Sequence, residues 1–145
     1  MSKVIDQLNA RIALPGAVSF DQGSGDLIRA ALTHNGAEAH VYSHGAHVTH
    51  YQPAGGEPAL FVSGRSHFQD GKPIRGGVPI CFPWFAQHPD EPTHPMHGFA
   101  RHTAWKIQGA DRNDAGVTIR YVLRDSGRTR DLGPHAFAAT YDVTL

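Results

Sequence analysis

Turn-forming residues punctuate the first part of this chain about every ten positions: Gly23-Ser24-Gly25, Asn35-Gly36, Gly45 and Gly55-Gly56. The short runs between them are Val18 to Asp21, Asp26 to Thr33, Ala37 to Ser43, Ala46 to Tyr51 and Ala59 to Val62. That rhythm belongs to an antiparallel meander of strands joined by tight turns. It returns further on, with Trp105 to Gln108, Gly116 to Arg124 and Ala136 to Leu145. Within Gly116 to Arg124, Val117, Ile119, Tyr121 and Leu123 alternate with Thr118, Arg120, Val122 and Arg124, so one face is predicted to be buried and the other mostly wet. Ahead of the first strand, Val4, Ile5, Leu8 and Ile12 share one side of a helical wheel, which predicts a short amphipathic helix before Pro15-Gly16. The expected fold class is all-β, an antiparallel sandwich with a short N-terminal helix.

Composition narrows what such a fold could do. A chain of 145 residues is about one domain and buries roughly two thirds of its unfolded surface. Its 13 basic and 13 acidic side chains cancel, leaving no long-range field for nucleic acid or anionic lipid. The single cysteine, Cys81, has no internal disulfide partner, and the opening residues carry Asp6 and Arg11 where a secretory signal needs an apolar run. The cytoplasm is the expected compartment. The longest stretch free of charged or strongly polar residues, Val78 to Ala86, is too short to cross a bilayer. Neither a nucleic-acid nor a membrane partner is expected. The strand-like ending Tyr141 to Leu145 has no turn residue, cap or polar tail after it and reads as cut.

Between the two strand-rich regions, Ser63 to Thr103 fits neither the helical nor the strand period and holds six of the ten prolines. A loop of that length in a compact domain is functional or disordered, and its aromatic content argues for order. Residues 63–103 are therefore taken as the functional loop region. Arg75-Gly76-Gly77 joins a planar guanidinium fork to two glycines that allow positive φ or close approach to a ligand. Phe82 and Phe85 are expected to plug the core beneath the loop, while Trp84 is kept as a ligand-facing ring. In His97-Gly98-Phe99-Ala100-Arg101 the histidine can donate to a ring oxygen or carbonyl, and an extended backbone would turn His97 and Arg101 to one face. With Arg65 and Lys72 these arginines make a local basic cluster in a neutral chain, favouring a small anion over a polyanion.

Eleven histidines invite a metal reading. No His-x-His pair occurs, and His44, His47 and His50 are spaced so that neighbours would alternate between strand faces. His94 and His97, with Asp90 and Glu91, could still converge through a loop. Cys81 lies among apolar neighbours and is expected to be a buried, inert thiol. Phosphate-loop, dinucleotide and G-x-S-x-G signatures are absent.

The order Gly71-Lys72-Pro73-Ile74-Arg75-Gly76-Gly77-Val78-Pro79-Ile80-Cys81-Phe82-Pro83-Trp84-Phe85, then His97-Gly98-Phe99-Ala100-Arg101 and Trp105, resembles the hexose-6-phosphate 1-epimerases of the aldose 1-epimerase, galactose mutarotase-like superfamily. The resemblance covers the N-terminal half of that fold, so residues 1–145 would be a partial mutarotase-like β-sandwich domain. It implies an isomerase that interconverts the α and β anomers of a hexose 6-phosphate by acid/base ring opening, with no cofactor. By the same resemblance Arg75 would contact the substrate or its phosphate, Arg101 would help hold the phosphate, His97 would hydrogen-bond near the ring oxygen and Trp84 would line the cleft. The family's principal acid histidine and base glutamate come from segments beyond Leu145, so no certain catalytic residue and little turnover are expected of this chain alone. Two alternatives stand: a non-catalytic carbohydrate or sugar-phosphate binding module, and a metal-dependent, cupin-like enzyme using His94 and His97. Exposed sheet edges would also favour a homo-oligomer.

Overall fold

A computed structural model describes residues 1–145. The opening apolar stripe forms helix α1, Ser2–Arg11, whose Ile5 and Leu8, with Ile12 just beyond it, rest against the core while no residue of the helix is fully buried. Asn9 fastens it: its amide donates to the Phe20 carbonyl at 2.8 Å and its carbonyl accepts from the Phe20 N–H at 2.9 Å, so one side chain imitates a strand partner. Strands β1 (Val18–Gln22), β2 (Ile28–His34), β3 (Ala37–Tyr42) and β4 (His47–Gln52) form an antiparallel meander in sequence order. The β2–β3 turn is Asn35-Gly36 with φ of 47° and 82°, the two left-handed positions that such a tight hairpin requires.

The second sheet joins β5 (Lys106–Asn113), β6 (Gly116–Arg124) and β7 (Ala138–Thr144), again antiparallel and in order, with the short helical turn α2 (Gly127–Arg130) between β6 and β7. In β6 the alternation read from sequence is realised: Val117, Ile119, Tyr121 and Leu123 are buried. They meet Val18, Phe20, Ala30, Leu32, Ala39 and Val41 of the first sheet in one apolar core, and the Tyr121 hydroxyl donates to the Val41 carbonyl across it at 3.4 Å. The molecule is an all-β sandwich with a short N-terminal helix. No helix is long and apolar enough to cross a membrane.

Two expected strands need correction. Ala59 to Val62 is not a strand; only Val62 forms a bridge, to Gly76, so this run belongs to the loop layer. The strand expected over Trp105 to Gln108 starts one residue later and continues to Asn113, with a bulge between Ile107 and Gly109 that lets it bend and go on through polar, exposed residues.

Candidate functional site

The Ser63–Thr103 segment contains no strand and a single 3-10 turn, Ala100–His102, yet it is ordered by specific anchors. Isolated bridges tie Val78 to Val48, Val62 to Gly76 and Phe82 to Gly98. Ile74, Phe99 and Ala100 are buried beneath it. The two glycines of Arg75-Gly76-Gly77 are required by close backbone approach. Both have positive φ, and a Cβ would stand 2.3 Å from the Phe61 carbonyl oxygen at Gly76 and 2.2 Å from the Val48 carbonyl oxygen at Gly77.

Three buried or half-buried histidines grip this segment by its carbonyls, and sequence reasoning missed them. His44 Nε2 lies 2.7 Å from the Lys72 oxygen, His47 Nε2 2.6 Å from the Gly76 oxygen, and His102 Nδ1 3.1 Å from the Gly71 oxygen. A carbonyl only accepts, so each ring nitrogen donates, and the three bonds fix the backbone on both sides of Arg75. Burial holds the pKa of His47 and of His102 below the usual histidine value, and each lies near further positive groups, Arg101 among them. The available signal was the His44, His47 spacing. Strand-face metal geometry does not apply to that spacing, because His44 sits in a turn and His47 opens β4.

Arg75 is exposed, with its backbone N–H donating to Ser66 Oγ at 3.1 Å. Arg101 donates from Nη2 to the Met96 carbonyl at 2.7 Å, while its Nε is buried without a partner. Burial lowers its pKa, a nearby Cys81 acts in the opposite sense and Arg75 adds to the lowering, so the two guanidiniums and the thiol share one neighbourhood. Neither arginine pairs with a carboxylate. His97 has φ 65°, and its Nδ1 accepts from the Ala86 N–H at 2.9 Å. The neutral ring therefore carries its proton on Nε2, which has no partner within the chain and is not sealed from solvent.

Several expectations are corrected here. His97 and Arg101 do not share an extended strand: left-handed His97 and Gly98 and the 3-10 turn that follows coil the backbone between them. Arg101 reaches back to Met96, next to His97, so the two remain linked through the chain. Trp84 is half-buried; its indole N–H is spent on the Pro95 carbonyl at 3.0 Å and its ring stacks on His94 and meets His88 and Phe99 edge-on. Cys81 is exposed rather than buried, and so is Phe85, whose ring lies 4.7 Å from that of His97; only Phe82 joins the plug, against Phe99 and Phe137. Hydropathy cannot assign orientation where no period exists. The convergence of His94 and His97 on a metal is not formed: His94 packs on Trp84 and His97 on Phe85, and no group of three or more metal-ligating side chains gathers. Arg75, Trp84, His97 and Arg101 line none of the cavities around Gln108, Val4, His34, Gly71 and Asn9.

The molecule is thus a two-sheet antiparallel sandwich that carries an arginine–glycine turn and a histidine–arginine turn on one long loop. The chain belongs to the aldose 1-epimerase family, whose model matches residues 29–145. Among curated relatives it is similar to the protein of Salmonella typhimurium named "Putative glucose-6-phosphate 1-epimerase", 37% identical over 112 residues, 77% of this chain and 38% of that one. A protein of the same name from Escherichia coli is 37% identical over 112 residues, 77% of this chain and 37% of its own. Its fold matches the crystal structure of a "putative mutarotase" from Salmonella typhimurium with a TM-score of 0.82 and 33% identity, covering 97% of this chain and 49% of that chain. The chain thus spans under half the length of the relatives it matches.

Proposed function

We propose that Arg75, Arg101 and His97, with Trp84 as a fixed wall residue, form the substrate-holding side of a site that interconverts the anomers of a hexose 6-phosphate. The observation that carries this reading is the pair of neighbouring guanidiniums on the loop, neither balanced by a carboxylate in an otherwise neutral chain. Such a pair selects a small oxyanion such as a sugar phosphate. His97 supplies an Nε2–H that can donate to the ring oxygen.

Ring opening needs an acid at the ring oxygen and a base at the anomeric hydroxyl, with the roles exchanged on closure. In this proposal that pair resides in the part of the family fold that these 145 residues do not span, so the loop described here binds and orients. Residues 1–145 act as part of a larger sandwich, with 63–103 as its functional loop, and the open edges of β5 and β7 favour self-association when the chain stands alone. A cytoplasmic setting accords with the lone, exposed Cys81.

The test is exchange NMR of glucose 6-phosphate anomers in the presence of this chain. Saturable binding without acceleration over buffer is the expected result. Acceleration by these residues alone would overturn the placement of the acid and base, and an absence of saturable binding would overturn the site.

A further inference from the structure

A cavity lies beside Gly71, where the 3-10 turn carrying His102 meets α2. It encloses about 140 Å³ and is lined by Gly71, His102, Thr103, Arg128 and Thr129 among others. Water occupies about 30 Å³ per molecule in the liquid, so the space admits several waters or one tetrahedral oxyanion. Gly71 has φ 73°, and a Cβ there would lie 3.5 Å from Arg128 Nη2, which places the guanidinium over the glycine. Arg128 makes no ion pair and no side-chain hydrogen bond within the chain. His102 donates from Nδ1 to the Gly71 carbonyl, and its Nε2 is buried with no partner.

The charged groups acting on His102 are Arg101, His44 and Arg128, and the adjoining carboxylate, Asp70, lies 4.0 Å from His44 Nδ1. The exposed Arg128 carries no counter-charge, and beside it the buried Nε2 of His102, whose proton sits on Nδ1, is left as an acceptor with no donor. A hydrogen phosphate meets both groups at once: its P–OH donates to the bare Nε2 of the neutral His102, and its other oxygens accept from the Arg128 guanidinium. We propose that the Gly71–His102–Arg128 cavity is a second oxyanion site that takes a phosphate group. It is lined by none of Arg75, His97 and Trp84, and the proposal stands whether or not the sugar-phosphate reading of those residues holds.

The test is titration of the full chain with inorganic phosphate, followed by calorimetry and by the ¹⁵N shift of His102 Nε2. Wild type is expected to bind saturably with a moving Nε2 resonance. Arg128→Gln, an exposed position, is expected to weaken that event about tenfold, the scale of one lost charge-assisted hydrogen bond. His102→Gln, which can keep a donor toward Gly71, is expected to weaken it as well, while Arg75→Ala leaves it in place. Glucose 6-phosphate added to the phosphate-saturated chain separates the sources. Displacement means that the sugar's phosphate sits here, simultaneous binding means free phosphate does, and both support the site. Unchanged phosphate affinity in folded Arg128→Gln, or loss of all phosphate binding in Arg75→Ala, would overturn it.

Discussion

The paired strands and the Ser63–Thr103 segment are both ordered, but by different chemistry. In β5–β7 each residue's place follows from a ladder of backbone bonds and one buried face; Tyr121 and Ile119 have no exposure at all. In the loop segment the backbone is pinned by side chains: His44 and His47 reach in from the turn before β4 and from β4 itself, while His102, Trp84 and His97 bond to the backbone of Gly71, Pro95 and Ala86 within the segment. A ladder tolerates surface change and depends on burial. A pinned loop depends on a few donors, and it leaves the Arg75 side chain without structural duty and Arg101 bonded only to the Met96 carbonyl, neither guanidinium being neutralised by a carboxylate.

That contrast breaks most severely in the core. Tyr121→Ala or Leu32→Ala is expected to cost about 3–5 kcal/mol in chemical denaturation, taking sheets and loop together, because each leaves a cavity between the sheets. His47→Ala sharpens it. The Gly76 carbonyl loses its donor while the strands keep theirs, so we expect about 1–3 kcal/mol of destabilisation with amide exchange rising over Ile74 to Val78 and sheet circular dichroism retained.

Acid should act through the same histidines. His47 and His102 are held below the usual value by burial, so the unfolded chain binds more protons and stability is fully present above about pH 6.5. Denaturation midpoints should fall as pH drops through 6.5 toward the folded-state pKa values, and less steeply in His47→Gln. Smaller still is the effect on stability of Arg75→Ala, an exposed side chain, where the expected loss is in phosphosugar affinity alone. Least of all is Arg120→Ala: the Arg120–Asp142 pair on the outer face of the second sheet lies in water, and melting temperature should not move measurably.

The same division explains what the sequence made legible. Where a period existed it was readable: β6 lies at its expected limits, and Asn35-Gly36 makes the expected hairpin. The glycines at 76 and 77 take the positive φ that the motif allows, but the close approach they permit is to the Phe61 and Val48 carbonyls, not to a ligand. Without a period, orientation was lost. Cys81 and Phe85 read as core from hydropathy but are exposed, and Trp84, read as ligand-facing, has its indole N–H on the Pro95 carbonyl. The histidine pins were invisible because their partners are backbone carbonyls about 30 residues away, a distance on which local spacing carries no information. Asn9 escaped notice for the same reason, since its partner is the backbone of Phe20 on the edge strand.

The central claim is that two unpaired guanidiniums on the pinned loop select a phosphorylated sugar. Calorimetric titration with glucose 6-phosphate and with glucose tests it most directly, in the Arg128→Gln chain, whose second phosphate site is weakened, and in the same chain carrying Arg101→Ala. The account predicts clear preference for the phosphorylated sugar, lost in Arg101→Ala with the sheets intact. Equal affinity for the two sugars, or a preference that survives the substitution, would contradict it.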